Sequence, residues 1–258
     1  MSSILFEIKE SIAYITLNRP DKYNAFNREM ALELQARLDE CKDSTEVRCV
    51  YLTGAGNAFS AGQDLDEVVN GEGLKVITIL AEHFNPIVAR IRNMDKPVVA
   101  AVNGVAAGAG ANIALGCDIV VAAQSASFIQ AFSKIGLIPD SGGTFYLPRL
   151  VGLQKALALC MLGDKVGAEE AERIGMIYKW YGDDVFENEA KAIARTLSQL
   201  PTKALYFTKR ALNQAFISSF EDQLHAEEIW QQRASGTLDF KEGVQAFIEK
   251  RKPVFKGK

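Results

Sequence analysis

Histidine is almost absent from this chain. The 258 residues contain two, His83 and His225. They lie far apart on helix-like patterns, so no histidine cluster with metal-ligand spacing can form and no metal site is expected. Cysteine is nearly as sparse. Cys41, Cys49, Cys117 and Cys160 show neither a CxxC pair nor a spacing to histidine, which argues against a zinc ribbon or a disulfide framework and for buried thiols in a reducing compartment. An excess of one charge is also missing, since 29 basic residues face 32 acidic ones for a net charge of -3. That balance provides no basic stripe for a nucleic-acid groove. The opening MSSILFEIKE carries acidic residues where a secretion signal has a basic region followed by a long apolar one, so no secretion signal is expected. The most apolar stretch, Pro97 to Ala123, is interrupted by Asn103, Asn112, Asp118 and several glycines, and reads as buried parallel strands rather than a membrane span. The expectation is a cytoplasmic protein with neither a nucleic-acid nor a membrane partner.

What is present is a repeated alternation of apolar patterns. Ile4, Phe6 and Ile8 alternate with polar residues and SIAYITLN follows Lys9-Glu10, which predicts an opening β-hairpin. Met30, Leu34 and Leu38 recur at helical spacing after Asn27, which predicts an amphipathic helix with Asn27 as its cap. RCVYLT reads as a strand, Gly54 to Gly62 as a loop rich in glycine and alanine, and Leu74 to Met94 as one long helix that stops before Lys96-Pro97. VVAAV, then Gly108 to Leu115, then DIVVAA read as strand, helix and strand with short connections. The expected fold class is therefore α/β, a parallel or mixed sheet covered by helices. Beyond Leu150 the pattern is almost wholly helical, through Leu153 to Leu162, Ala168 to Ile174, Val185 to Leu200, Pro201 to Ala215, Phe220 to Ala234 and Phe240 to Lys250. No linker rich in Ser or Pro divides the chain, so an α/β core over residues 1–200 and a helical region over 201–258 are read as one globular unit.

Two segments carry candidate chemistry. FIQAFSKIGLIPDSGGTFYLPR, from Phe128 to Arg149, sets one carboxylate, Asp140, in a Pro-Asp-Ser-Gly-Gly turn between apolar runs. Such an aspartate is either the cap of the following helix or a proton acceptor. A helix N-terminus would lower its pKa, whereas burial among Phe132, Ile138 and Phe145 would raise it, and a base working near neutrality requires burial to win. Upstream, VNGVAAGAGANIALGCD supplies small residues, which suit either a backbone that must approach a ligand or a helix packed tightly on a strand. The residues alone leave both pairs of readings open.

FSAGQDL (Phe59 to Leu65), PVVAAVNGVAAGAGANIALGCDIVVAA, IGLIPDSGGTFYLPRLVG and EGVQAFIEKRKPVF, in that order, resemble the enoyl-CoA hydratase/isomerase superfamily, the crotonases, over nearly the entire chain. The resemblance implies a crotonase-like spiral of ββα units with a C-terminal helical region that assembles as a homotrimer or a dimer of trimers. It also implies an acyl-CoA thioester as substrate, coenzyme A being part of that substrate so that no separate cofactor is needed. The backbone N–H groups of Gln63 and Ala109 would hold the thioester oxygen, and Asp140 would act as the acid/base. Lys22 and Lys250 would meet the coenzyme A phosphates, with Phe247 beside its adenine or ribose and the backbone at Ala61, Asp64 and Leu65 near the adenine. His83 falls in a segment that lines acyl pockets of the family.

The two glutamates with which hydratases activate water correspond here to Asn112 and Phe132. Neither can ionise, a departure that argues for isomerisation over hydration; Asn112 would instead hydrogen-bond or order the ligand and Phe132 would make the substrate pocket drier. Within the superfamily the combination AGAGAN, AFSKIGLIPDSGG and EGVQAFIEKR is most similar to the isomerases of ring-1,2-epoxyphenylacetyl-CoA, which implies ring expansion to an oxepin, with the shift of 3-enoyl-CoA to 2-enoyl-CoA as a second activity. The competing readings are an enoyl-CoA hydratase, an aryl-CoA dehalogenase that combines an aspartate at the Asp140 position with a histidine, and a non-catalytic CoA-thioester or RNA-binding relative.

Overall fold

The computed structural model describes residues 2–69 and 75–258. Strands β1 (Ile4–Lys9) and β2 (Ile12–Leu17) form the expected antiparallel hairpin, with Lys9 opposite Ile12 and with Glu10 and Ser11 both at positive φ. Those are the dihedrals of a two-residue turn whose twist matches that of the strands it joins. Helix α1 (Arg28–Asp43) starts where the sequence places it, the Asn27 side chain accepting the Met30 N–H at 3.0 Å.

From there the chain lays strands alternately into two sheets. β3 (Cys49–Gly54), β5 (Val98–Val102) and β7 (Ile119–Ala123) join the hairpin and β10 (Lys179–Tyr181) in a six-stranded sheet of order β1-β2-β3-β5-β7-β10. Its strands from β2 onward run parallel. β4 (Ala58–Ser60), β6 (Val105–Ala107), β8 (Ser127–Ile129) and β9 (Lys165–Gly167) form a second sheet in that order. Each winding thus gives one strand to each sheet and then a helix: α2 (Leu65–Val69) after β4, α5 (Ala109–Leu115) after β6, and a 3-10 turn (Ala131–Ile135) with α6 (Gly143–Val151) after β8. This is the spiral of ββα units implied by the resemblance. β5 is buried at every position, as expected of a parallel strand covered on both faces. The run from Pro97 to Ala123 that could have been taken for a membrane span is β5, β6, α5 and β7, and among the described residues no helix is long and apolar enough to cross a membrane.

Three expectations are corrected. Gly54 to Gly62 is not all loop, since it contains β4, whose three residues are buried. The long helix is broken into α3 (Val76–Ile79), a π-helical turn (Leu80–Phe84) and α4 (Asn85–Asn93), and Leu74 lies outside the described residues. Pro86 explains the break: it has no N–H, and its ring clashes with the carbonyl four residues back, so the hydrogen-bond ladder shifts register there. The part beyond Leu150 is not wholly helical, because β9 and β10 interrupt α7 (Leu153–Leu162), α8 (Ala168–Arg173) and α9 (Phe186–Gln199).

Helix α9 packs across β2, β3, β5, β7 and β10. Helices α10 (Thr202–Ala215), α11 (Phe220–Ser235) and α12 (Leu238–Ile248) follow, and polar clasps tie them to the core. Arg48 donates to the carbonyls of Leu200 and Phe255, buried Asp239 accepts the N–H groups of Lys256 and Gly257, and Lys209 pairs with Asp118 at 2.9 Å. Large apolar side chains remain exposed on these helices and in the turn between α10 and α11, among them Ile217, Phe220 and Phe247.

Candidate active site

The loop after β4 is stitched to the segment Tyr23 to Phe26. Ala61 donates to the Tyr23 carbonyl, Phe26 donates to the Gly62 carbonyl at 2.7 Å, and Asp64 donates to the Phe26 carbonyl at 2.9 Å. In strand-like pairing successive residues point opposite ways. Gly62 and Asp64 spend their backbone groups on Phe26, so the Gln63 N–H faces the other side, toward a cavity that Gln63 lines. Ala109 is the first residue of α5, where an N–H has no partner within its helix. Among the described residues neither amide meets an intramolecular acceptor.

Gly62 is what lets the two amides approach. Its φ is +89°, and a Cβ there would come 2.9 Å from the Ala107 carbonyl oxygen and 3.3 Å from the Ala109 nitrogen. The glycines beside Ala109 divide the two readings of that run. Gly110 serves packing, because a Cβ on it would stand 2.5 Å from the Ser60 carbonyl oxygen, whereas Gly108 lines the cavity at φ +52° opposite the Phe132 ring.

Asp140 approaches from a third element. Gly143 donates to the Asp140 carbonyl at 2.8 Å, and Ser141 and Gly142 both have positive φ, so residues 140–143 form a turn of type I′ hand. The N-cap of α6 is Gly142, without a side-chain cap bond. The capping role open to Asp140 from sequence is therefore not the one it takes. Its carboxylate lines the cavity instead, where burial pushes it above the usual carboxylate range while the Ser141 hydroxyl, donating to Oδ1 at 2.8 Å, opposes part of that shift. Ile138 takes no part in the burial, being 80% exposed.

The cavity holds about 360 Å³. Val76, Ile79, Leu80, Phe84, Phe132 and Leu137 are among the apolar side chains that line it, and Asp140 is its one titratable side chain among the described residues. A group with a polarisable oxygen beside the amides and an acidic C–H beside Asp140 could here lose a proton to the carboxylate while the amides stabilise the charge left behind.

The sequence model of the enoyl-CoA hydratase/isomerase family matches residues 7–258. The chain belongs to the enoyl-CoA hydratase/isomerase family. It is 43% identical to the 1,2-epoxyphenylacetyl-CoA isomerase of Escherichia coli K12, covering 100% of both chains, and 45% identical to a protein of Rhodobacter capsulatus named "Probable enoyl-CoA hydratase", covering 99% of this chain and 98% of that one. The crystal structure of an enoyl-CoA hydratase from Bacillus anthracis superposes with a TM-score of 0.92 at 31% identity, covering 99% of this chain and 100% of that one. As an enzyme of the enoyl-CoA hydratase/isomerase family, it takes an acyl-CoA as its substrate.

The remaining family-derived site residues are only partly brought together. Ala61, Leu65 and Phe132 line the cavity with Gln63, Ala109 and Asp140. Asn112 does not: it is fully buried behind the turn, its Nδ2 donating to the Asp140 carbonyl at 2.9 Å and its Oδ1 accepting from Gln130 at 2.8 Å. A Cβ on Gly143 would collide with its side chain. Asn112 therefore positions the turn that carries Asp140. The Asp64 carboxylate is engaged by Arg19 at 2.8 Å and Lys22 by Asp66 at 2.9 Å, so both brace the loop around the Gln63 amide. Phe247, 85% exposed, and Lys250 lie at the end of α12 and do not line the cavity.

His83 is buried in the π-helical turn and does not line the cavity, although Leu80 and Phe84 of the same turn do. Burial lowers its pKa. Its Nε2 lies 3.3 Å from the Arg28 guanidinium, and among the described residues its buried Nδ1 has no hydrogen-bond partner. Sequence reading missed Ser141 and Gln130, and also Glu67, whose carboxylate joins the Gln63 side chain at 2.9 Å to the Arg28 N–H at 2.8 Å. The one sequence signal for Ser141 is its place beside Asp140. Glu67 and Gln130 act across the fold and leave no local mark.

Proposed function

We propose that this enzyme isomerises acyl-CoA thioesters by moving a proton along the acyl chain. One observation carries this reading: among the described residues the cavity wall holds a single titratable side chain, Asp140, raised by burial, together with two backbone amides that meet no intramolecular acceptor. With a 3-enoyl-CoA, the Asp140 carboxylate takes the C2 proton and the C–H electron pair forms an enolate whose oxygen lies between the Gln63 and Ala109 N–H groups. The protonated carboxyl then returns the proton to C4 as the double bond moves to C2–C3. Preorganised donors aimed at an oxygen that gains charge contribute about two to three powers of ten in rate each. Hydration would need groups to position and activate water, and the positions of Asn112 and Phe132 give none that ionises.

The full-length identity of 43% to the Escherichia coli 1,2-epoxyphenylacetyl-CoA isomerase supports the ring-1,2-epoxide of phenylacetyl-CoA as the physiological substrate and its oxepin isomer as product. The apolar cavity wall accommodates an aromatic ring. Coenzyme A enters as part of the substrate with no resident cofactor. Lys22 and Lys250 take its phosphates, Lys22 by leaving Asp66, and Phe247 contacts the adenine end. The exposed apolar residues of α10 to α12 support a homotrimer or dimer of trimers formed through residues 201–258. Free cysteines, three of them buried, fit work in a reducing cytoplasm. The test offers the purified enzyme a 3-enoyl-CoA, crotonyl-CoA and the phenylacetyl-CoA epoxide separately. Isomerisation of the first and third with negligible hydration of crotonyl-CoA is expected, and rapid hydration of crotonyl-CoA overturns the assignment.

A further inference from the structure

Ser141 occupies an unusual position for a serine. It is 1% exposed, its backbone is left-handed at φ 51°, and its hydroxyl donates to Asp140 Oδ1 at 2.8 Å. Left-handed backbone favours glycine, asparagine or aspartate, and the next turn position is glycine. A glycine at 141 would fit the turn with less strain. Strain retained beside a reacting group, with a polar contact that depends on the strained residue, is a pattern of functional sites.

We infer that Ser141 is a positioning residue for the isomerisation, its hydroxyl fixing the Asp140 carboxylate so that Oδ1 is held and Oδ2 is the oxygen that takes up and returns the proton. Two restraints then hold the base. Asn112 grips its main-chain carbonyl from α5 at 2.9 Å, and Ser141 grips the carboxylate itself. A carboxylate turning freely about its side-chain bonds would present either oxygen at varying angles, and misplaced reacting atoms lose rate steeply. The Ser141 hydrogen bond also favours the charged carboxylate, the form that accepts the proton. The residues contributed by the loop after β4, α2, α3, the π-helical turn, α5 and the 3-10 turn include no second titratable group among the described residues.

This inference rests on Asp140 being the base, and the test separates the two. Ser141→Gly, Ser141→Ala and Asp140→Asn are compared with the parent enzyme for kcat, KM and pH dependence on a 3-enoyl-CoA. Ser141→Gly removes the hydroxyl and relieves the left-handed backbone strain, Ser141→Ala removes the hydroxyl and keeps that strain, and thermal melting of both shows whether a lost rate reflects unfolding. The expected result is a fall in kcat of about tenfold in both serine variants, the value of a hydrogen bond to a charged group. KM is little changed, and the acid limb of the pH profile moves to higher pH because the bond that favoured the carboxylate is gone. An inactive Asp140→Asn beside a Ser141→Gly enzyme with the parent's kcat and acid limb overturns the role of Ser141 and leaves the base in place. A lowered kcat with an unmoved acid limb also overturns it, assigning the serine to the turn alone. An active Asp140→Asn instead removes the reading on which both depend.

Discussion

Gly62→Ala tests the geometry of the amide pair without touching a side chain that does chemistry. The new methyl group would sit 2.9 Å from the Ala107 carbonyl oxygen and 3.3 Å from the Ala109 nitrogen, both main-chain atoms that cannot swing aside, at a φ of +89°. The loop after β4 and the start of α5 must therefore separate by several tenths of an ångström. The backbone strain costs about 1–3 kcal/mol of stability. Displacing one of two donors costs a further two to three powers of ten in kcat, about 3–4 kcal/mol in the transition state. Because the donors act on charge that develops only during the reaction, kcat should fall far more than KM rises. Gly152→Ala supplies the control: its φ of +77° also strains an L side chain, but nothing lies within 4 Å of the new methyl group and the residue lies outside the cavity wall. Steady-state isomerisation of a 3-enoyl-CoA, with thermal melting of both variants, separates the effects. If Gly62→Ala keeps kcat within a few-fold of Gly152→Ala, the two amides are not the oxyanion donors.

The pairing of Lys209 with Asp118, reinforced by the Val98 N–H on the same carboxylate, joins α10 to the start of β7. Lys209→Met should cost about 1 kcal/mol in urea unfolding, because it leaves a partly exposed carboxylate without its cation, and the double variant with Asp118→Asn should recover most of that loss; a variant more stable than the parent would contradict the pairing. Asp140→Asn should melt at a higher temperature than the parent at neutral pH. A carboxyl whose folded pKa is raised is most stabilising when protonated and loses that contribution as pH rises through the folded value, so a neutral amide removes the penalty. The gain should vanish at low pH, where the parent carboxyl is itself protonated, and a gain that persists unchanged at low pH would show that burial is not its cause.

The parts of the fold legible in the sequence were those set by local chemistry. Asn27 capped α1 as read, because capping needs only the Asn side chain and the N–H three residues on. β5 and β7 were visible as apolar runs because both faces of a parallel strand are covered. β4, β6 and β8 have three residues each, too few to show a period, and their pairing partners lie tens of residues away in the chain. The break at Leu80–Phe84 came from Pro86, a clear signal overridden in reading by the apolar pattern around it. At the site, the turn bearing Asp140 was legible because Pro and two glycines delimit it. The two small-residue readings near Ala109 could not be separated in sequence, since Gly108 and Gly110 look alike and only Ser60, from another strand, distinguishes them. Asn112 was expected near the ligand, but its side chain is spent on Asp140's main chain and on Gln130, contacts that cross from α5 to the next winding of the spiral.

The most direct test of Asp140 as the proton-transferring group is the rate of 3-enoyl-CoA isomerisation by Asp140→Asn, measured with the binding of a saturated acyl-CoA to the same preparation. The amide keeps the shape and the Ser141 contact but cannot take a proton at neutral pH, so kcat should fall by at least about two to four powers of ten with acyl-CoA binding within a few-fold of the parent. A variant that isomerises at the parent's rate would contradict the assignment outright.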